Sequence, residues 1–261
     1  MSRNLKFQES RLFRRLRHQV GRAVADFSLI SEGDRIAVGL SGGKDSYSLL
    51  VLLGELQRRS PVHYHVTAFT VDAGYNGFKT DVIAAFCRQF GFQHRLIKTT
   101  HYDIIKEKLR PGSSFCSLCA RLKRGTLYST MREEGYNKLA LGHHRDDFIE
   151  TLLLNQFFVG SLKAMSPKTV ADSGDITVIR PLVYAAESDT AAFAAELELP
   201  VVSCSCPVAG SPDLQRQRMK DLLALLEKDN PTIKNSLLKA LSNVHPRHLL
   251  DLGLRRDENQ L

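Results

Sequence analysis

The chain has 261 residues, 43% of them hydrophobic and 25% charged, a size and balance that suit one large α/β domain or one domain with a small appendage. No apolar run approaches the roughly 20 residues of a membrane span, and the start Met-Ser-Arg-Asn-Leu-Lys leads into no apolar signal core, so no membrane role is expected and the cytoplasm is the expected place. Lys and Arg number 36 against 28 Asp and Glu, a net charge of +8 that makes RNA or DNA a candidate partner without demanding one.

Residues Phe7 to Leu29 form a basic amphipathic stretch. Leu12, Phe13, Leu16, Val20, Val24 and Phe27 recur at helical spacing, and Arg11, Arg14, Arg15, Arg17 and Arg22 fill the other faces. This predicts a helix docked on a core, its arginines facing water or meeting phosphates. Its apolar parts would also suit a homodimer seam. Arg35-Ile-Ala-Val-Gly-Leu40 reads as a buried strand, Ser41-Gly42-Gly43-Lys44-Asp45-Ser46 as a tight turn and Tyr47 to Leu53 as the apolar opening of a helix. A second strand is expected over Val62 to Val71, ending at Asp72. A helix over Phe78 to Phe90, stopped by Gly91, and a strand over Gln93 to Lys98 follow. An irregular stretch then runs through Pro111 and Gly112 to Cys116. Leu118 to Glu134 reads as a helix stopped by Gly135, Lys138 to Gly142 as a short strand, and Asp146 to Phe158 as an apolar helix ending near Gly160. Lys163 to Gly174 has the composition of a surface loop, Ile176 to Leu182 of an extended segment, Ser188 to Leu199 of a helix and Pro200 to Ser203 of a short strand. Asp213 to Leu226 and Ile233 to Leu241 close the chain as helices, and the tail from Asp251 carries no pattern.

Strands alternating with helices predict an α/β fold: right-handed βαβ units, a parallel sheet and helices on both faces. Ligands in such sheets sit beyond the carboxyl ends of the strands, where the Ser41–Ser46 turn, Asp72 and Gly142 all fall. The expected organisation is a basic helix over 1–30, a central α/β domain over 31–210 and helices with a tail over 211–261.

The strand–turn–helix at Ser41–Ser46 is a phosphate site on physical grounds. The first N–H groups of a helix lack intrahelical partners and carry the positive end of its dipole, and Gly42 and Gly43 let backbone approach an anion closely. It is not a Walker A loop, since Val38 stands where the first glycine would be and Asp45, not a hydroxyl residue, follows Lys44. The cysteines are Cys87, Cys116, Cys119, Cys204 and Cys206. Cys87 lies on an apolar helix face and reads as core. Cys116 and Cys119 form a C-x-x-C at a helix start, near Arg121, Lys123 and Arg124, all of which favour thiolates. Such a pair is a redox disulfide, half a zinc site or part of an iron–sulfur ligand set. Four thiolates with Cys204 and Cys206 would make a zinc site, although C-x-C is a cramped spacing for one. Three thiolates would hold a [4Fe–4S] cluster with one iron left open. In Gly142-His-His-Arg-Asp-Asp147, Asp146 and Asp147 either cap the following helix or, for Asp147, supply an oxygen ligand to Mg²⁺. His143 and His144 read as residues lining the site.

Four segments in order, SGGKDS at 41–46, CSLCARLKRGTLY at 116–128, ALGHHRDDFIETLLLN at 140–155 and C-P-V-A-G-x-x-D-x-Q-R from Cys206, resemble the tRNA 2-thiocytidine synthetase family. This is the TtcA-type branch of the PP-loop ATP pyrophosphatases, and the likeness runs from about Asp34 to Lys220 without a large gap. It implies a Rossmann-like fold of the adenine nucleotide α-hydrolase kind. It implies ATP and Mg²⁺ as cofactors, with a [4Fe–4S] cluster on three cysteines. The activity implied is ATP-dependent: adenylylation of the C2 carbonyl oxygen of cytidine 32 in tRNA, then replacement by sulfur. A sulfur donor such as a cysteine desulfurase is the further partner implied.

Carried over by motif, Ser41, Gly42, Gly43, Lys44, Asp45 and Ser46 bind the phosphates, with Lys44 a phosphate contact and Asp45 a magnesium or catalytic carboxylate. Thr70 and Gly142 line the nucleotide, and Arg121 and Lys123 face ATP and substrate, Lys123 in a catalytic role beside Asp147. Cys116 and Cys119 match two cluster ligands. Cys206, which precedes Pro-x-x-Gly, matches the third, with Cys204 as its competitor. The absence of cysteines at both termini separates the chain from T-loop uridine thiolases, and the internal thiols separate it from lysidine synthetases. A thiolase for another base and a non-enzymatic RNA-binding iron–sulfur protein are the other readings.

Overall fold

The computed structural model describes residues 10–109, 115–202, 206 and 214–253. Cys204, most of the segment after Cys206, the start of the basic stretch before Ser10 and the tail beyond 253 lie outside them. The chain divides into two compact units, one of Met1–Arg145 with Ser166–Ser211, the other of Asp146–Met165 with Pro212–Leu261. The basic N-terminal helix lies in the first unit, and residues 146–165 group with the C-terminal helices.

In the first unit a six-stranded sheet runs in the order β3-β2-β1-β4-β6-β5, from β1 (Arg35–Gly39), β2 (His65–Asp72), β3 (Gln93–Lys98), β4 (Lys138–Ala140), β5 (Lys168–Val170) and β6 (Thr177–Ile179). The first five in spatial order pair in parallel, and β5 pairs antiparallel with β6 at the edge. The sheet is therefore mixed rather than wholly parallel. β5 falls in the stretch expected as a loop, because its polar, fully exposed Lys168-Thr169-Val170 has no apolar alternation to announce it.

One sheet face packs on α5 (Phe115–Glu133). Ala37, Phe69, Val71, Leu139 and Val178, alternate residues of four strands, enclose its Leu127 and Met131. The other face carries α2 (Lys44–Gln57), buried along Ser46–Glu55 and flanked by α1 (Arg11–Asp26) and α7 (Glu187–Glu196). A helix buried on all sides shows no amphipathic stripe, which is why Leu49 to Leu53 read as one continuous apolar run. α3 (Thr80–Phe90) covers the same side, with Phe86 edge-on to Tyr47, ring centroids 4.5 Å apart. Phe13, Leu16, Val20 and Ala23 of α1 are all buried within this unit. The apolar stripe expected as a dimer seam is thus used internally, with Phe13 against Phe193 of α7.

Two further expectations are corrected. The irregular stretch after β3 contains α4 (His101–Lys108), and Val201 and Val202 form no strand. In the second unit, α6 (Arg145–Leu154, its first residue belonging to the first unit) runs into a π-helical turn at Asn155–Val159. Its Ile149 and Leu153 pack with Met219 and Leu223 of α8 (Leu214–Asp229). α9 (Ile233–Ala240) closes this unit, and Leu237 and Leu238 pack against the same cluster. Among the described residues no helix is long and apolar enough to cross a membrane.

A buried ion pair ties the amino ends of the central strands. Lys138 Nζ lies 2.6 Å from Asp34 Oδ2 and donates to the Leu29 carbonyl at 2.7 Å. Asp34 also accepts from Asn137 Nδ2 at 2.8 Å and from the Ser31 amide at 2.6 Å. Truncating one member strands a charge in the interior, so Lys138→Ala should cost about 3–5 kcal/mol in denaturant unfolding. His94 and His101 are held neutral, His94 chiefly by burial with Arg88 adding to it, His101 chiefly by burial with Lys123 adding to it. A histidine whose folded pKa is depressed binds its proton more readily once unfolded. Stability should therefore fall as pH drops through the ordinary histidine range near 6.5. His94→Gln with His101→Gln should flatten that fall, measured as the denaturant midpoint from pH 8 to pH 5.

Candidate functional site

The chain leaves β1 towards β2 and β3 on one side and later reaches β4 on the other, so the sheet's switch point lies between the carboxyl ends of β1 and β4. The turn before α2 occupies this point. Gly42 has φ +87°, and a Cβ there would stand 3.0 Å from Val202 Cβ. Gly43 is the N-cap of α2, extended and without a side-chain capping bond. The serines brace the turn instead: Ser46 Oγ donates to the Gly43 carbonyl at 2.8 Å, and Ser41 Oγ accepts from the Gly43 amide at 3.3 Å. Leu40 N donates to Phe69 O, and Val202 N to Gly42 O, each at 2.8 Å. A braced turn thus opens α2 without a side-chain capping bond, a geometry that favours an anion. Gly142, just past β4, packs against that turn. A Cβ there would lie 3.0 Å from the Asp45 backbone carbon and oxygen and 3.1 Å from Ser46 N.

Charged side chains surround the loop. Lys44 Nζ lies 2.8 Å from Asp45 Oδ2 and 3.4 Å from Glu187 Oε1, and Thr190 Oγ1 donates to Asp45 Oδ1 at 2.6 Å. His144, 4% exposed, places Nε2 3.9 Å from both carboxylates. Sequence reasoning missed Glu187 and Thr190. An acidic residue in the first turn of α7 looks like ordinary dipole complementation, and only the return of that helix beside α2 shows otherwise.

Two cavities open here, and Ser41, Phe78 and Lys123 line both. The larger, about 400 Å³, is walled by Leu40, Phe69, Val71, Leu127, Leu141 and Val178, with Arg124, His143 and Arg180 as further polar lining. Arg180 donates from Nη1 to the Ser166 carbonyl at 2.6 Å, while its buried Nε has no hydrogen-bond partner among the described residues. Burial is the main cause that lowers its pKa; Tyr128 opposes the shift and Arg124 adds to it. The smaller cavity, about 340 Å³, is lined by Gly43, Ala73, Tyr75 and Val202 besides the shared residues.

Cys116 and Cys119 sit in the first turns of α5, the first exposed and the second half-buried. At a spacing of three they share a helix face. Cys119 Sγ lies 3.2 Å from Tyr75 Oη, and Tyr75 lines the smaller cavity. Cys206, half-buried, follows four residues after Val202, whose amide is tied to the phosphate turn. Among the described residues no group of three or more His, Cys, Asp or Glu side chains converges as a metal site. Cys87 is buried, and burial pushes its thiol up to about 11, as suits a core residue.

Of the other expected residues, Lys123 lines both cavities, whereas Arg121 is exposed and lines neither. Two residues apart on a helix they point in nearly opposite directions, so only one can face the site. Thr70 is fully buried, its hydroxyl donating to the Leu40 carbonyl at 3.0 Å with His94 Nε2 2.9 Å away. Its side chain supports the turn from below, and its neighbours Phe69 and Val71 form the cavity wall. Asp147 belongs to the second unit, in the first turn of α6, with Arg216 Nη1 3.2 Å from its Oδ1.

The PP-loop domain family matches residues 12–203. A tRNA-cytidine(32) 2-sulfurtransferase of Geobacter metallireducens is 62% identical over 252 residues, covering 97% of this chain and 98% of that protein. The chain belongs to the tRNA-cytidine(32) 2-sulfurtransferase family. A second relative of the same description, from Citrifermentans bemidjiense, is 60% identical over 95% of this chain and 97% of its own length. Among solved structures, the U34-tRNA thiolase NcsA from Methanococcus maripaludis with its [4Fe-4S] cluster superposes with a TM-score of 0.71 at 24% identity, over 90% of this chain and 80% of that one. That likeness supports the fold. The family's phosphate turn leaves no room at Gly142, so Gly142→Ala should displace Asp45 and Ser46 and lower kcat/KM for ATP by about 10²-fold, with the thermal midpoint little changed.

Proposed function

We propose that this chain is an ATP-dependent sulfurtransferase that replaces the C2 oxygen of cytidine 32 in tRNA with sulfur, acting in the cytoplasm. The observation that carries the reading is Lys123, one turn after Cys119, lining both the apolar cavity beside the phosphate turn and the cavity walled by Tyr75, which touches Cys119. Nucleotide chemistry and sulfur chemistry meet at that residue.

The first-turn amides of α2 and Lys44 hold the polyphosphate of ATP, and the apolar larger cavity takes a planar base. The C2 oxygen attacks the α-phosphorus, pyrophosphate leaves, and a poor leaving group becomes AMP. Lys123 stabilises the charge that develops on the phosphate oxygens. Asp45, beside the phosphate turn, is the carboxylate we assign to Mg²⁺. That ion needs only one or two protein carboxylates beside phosphates and water, so the absence of a converged acidic cluster among the described residues is compatible with it.

Three thiols are the donor chemistry an iron–sulfur cluster takes, although among the described residues they do not converge as a metal site without it. Cys116 and Cys119 share one helix face, and Cys206 follows a segment pinned to the phosphate turn. When bound, a cluster on three thiolates supplies an iron with an open position for sulfide. The three cysteines hold it, and the sulfur itself comes from a donor such as a cysteine desulfurase.

Anaerobically reconstituted protein, given unmodified tRNA, ATP and sulfide, should form 2-thiocytidine together with AMP and pyrophosphate. Lys123→Ala should slow thiolation roughly 10²-fold or more. A thiolated uridine in the product, or AMP release without any thiolated base, would assign the chain to another PP-loop chemistry.

A further inference from the structure

Tyr75 is 7% exposed, and its hydroxyl is aimed at a sulfur rather than at water. It stands in the loop after β2, whose backbone is tied on both sides. Gly74, at φ +81°, donates its amide to Asp72 Oδ1 at 2.9 Å, and the Ala73 carbonyl accepts from the Tyr102 amide at 2.9 Å. The ring is fixed by Tyr102 and Phe115, with centroids 5.2 and 6.4 Å away. The Lys123 ammonium stands 6.0 Å from its centroid. The phenol therefore reaches Cys119 from a rigid platform, and buried tyrosine hydroxyls are placed where a partner exists.

We infer that Tyr75 is a positioning residue that donates a hydrogen bond to the Cys119 thiolate and raises the reduction potential of the cluster bound there. The inference rests on the proposed cluster. A cysteine that ligates iron has lost its proton, so the phenol must be the donor at this 3.2 Å contact. A donor to a ligand sulfur draws electron density from the metal centre and favours the more negatively charged reduced state. It also fixes the Cys119 sulfur against Tyr75, which lines the cavity shared with Ser41 and Gly43.

The test compares the whole chain with Tyr75→Phe and Tyr102→Phe, each reconstituted anaerobically. Iron and sulfide content and the midpoint of an EPR-monitored redox titration are the readouts. Both variants keep every ring of the platform and lose one hydroxyl. Tyr75→Phe should titrate at a more negative midpoint than wild type, and Tyr102→Phe at the wild-type midpoint. A folded Tyr75→Phe chain that assembles less cluster, beside a fully loaded Tyr102→Phe chain, also supports the assignment. A wild-type midpoint in Tyr75→Phe, with full loading, overturns it and leaves the proposed function intact. A wild-type chain that assembles no cluster overturns the cluster reading, and this inference with it.

Discussion

The unfilled first turn of α2 is the constraint around which the first unit is arranged. A buried helix start normally recruits Ser, Thr, Asp or Asn to satisfy its amides. Here Gly43 caps without a side chain, and the two nearby serines turn inward to brace the loop. The surrounding pieces keep the place open. Gly42 lets Val202 pass within van der Waals reach, and Gly142 lets the end of β4 touch the backbone of Asp45. Only glycine lets backbone pass this closely at both positions.

The charges beside the turn are partly paired among themselves. Lys44 stands between Asp45 and Glu187, so the lysine is already neutralised by neighbouring carboxylates. Lys123, Arg124 and Arg180, which line the cavity beside the turn, add positive charge there. On the proposed reading, a divalent ion shared between Asp45 and phosphate would offset the carboxylates, the role Mg²⁺ plays with such ligands. Thr190 orients Asp45 by donating to it, and Glu187 holds the other side of Lys44.

Much of this architecture was legible in the residues, and the exceptions have physical causes. The strand over Gln93 to Lys98 has its expected bounds, and Gly91, Gly135 and Gly160 stop their helices with φ near +70° as glycine allows. The Ser41–Ser46 turn was legible because its chemistry is local: neighbours in sequence are neighbours in space. Glu187 was not, because its relevance depends on α7 returning beside α2 from more than 140 residues away. Arg121 and Lys123 could not be told apart in the residues, because a motif lists them in a row while a helix separates neighbours by about 100° each. β5 was missed because an exposed edge strand need not alternate. The stripe on α1 was apolar as expected, but only the packing of Phe13 on Phe193 settles what it covers.

The central claim is that phosphate turn and thiols serve one reaction on one base of tRNA. The most direct test is a mass-spectrometric nucleoside digest of total tRNA from cells lacking this gene, complemented with the intact chain or with Cys116→Ala. The account predicts that 2-thiocytidine is absent in the deletion, returns with the intact chain and stays absent with Cys116→Ala. Unchanged 2-thiocytidine in the deletion, or full recovery with Cys116→Ala, would contradict it.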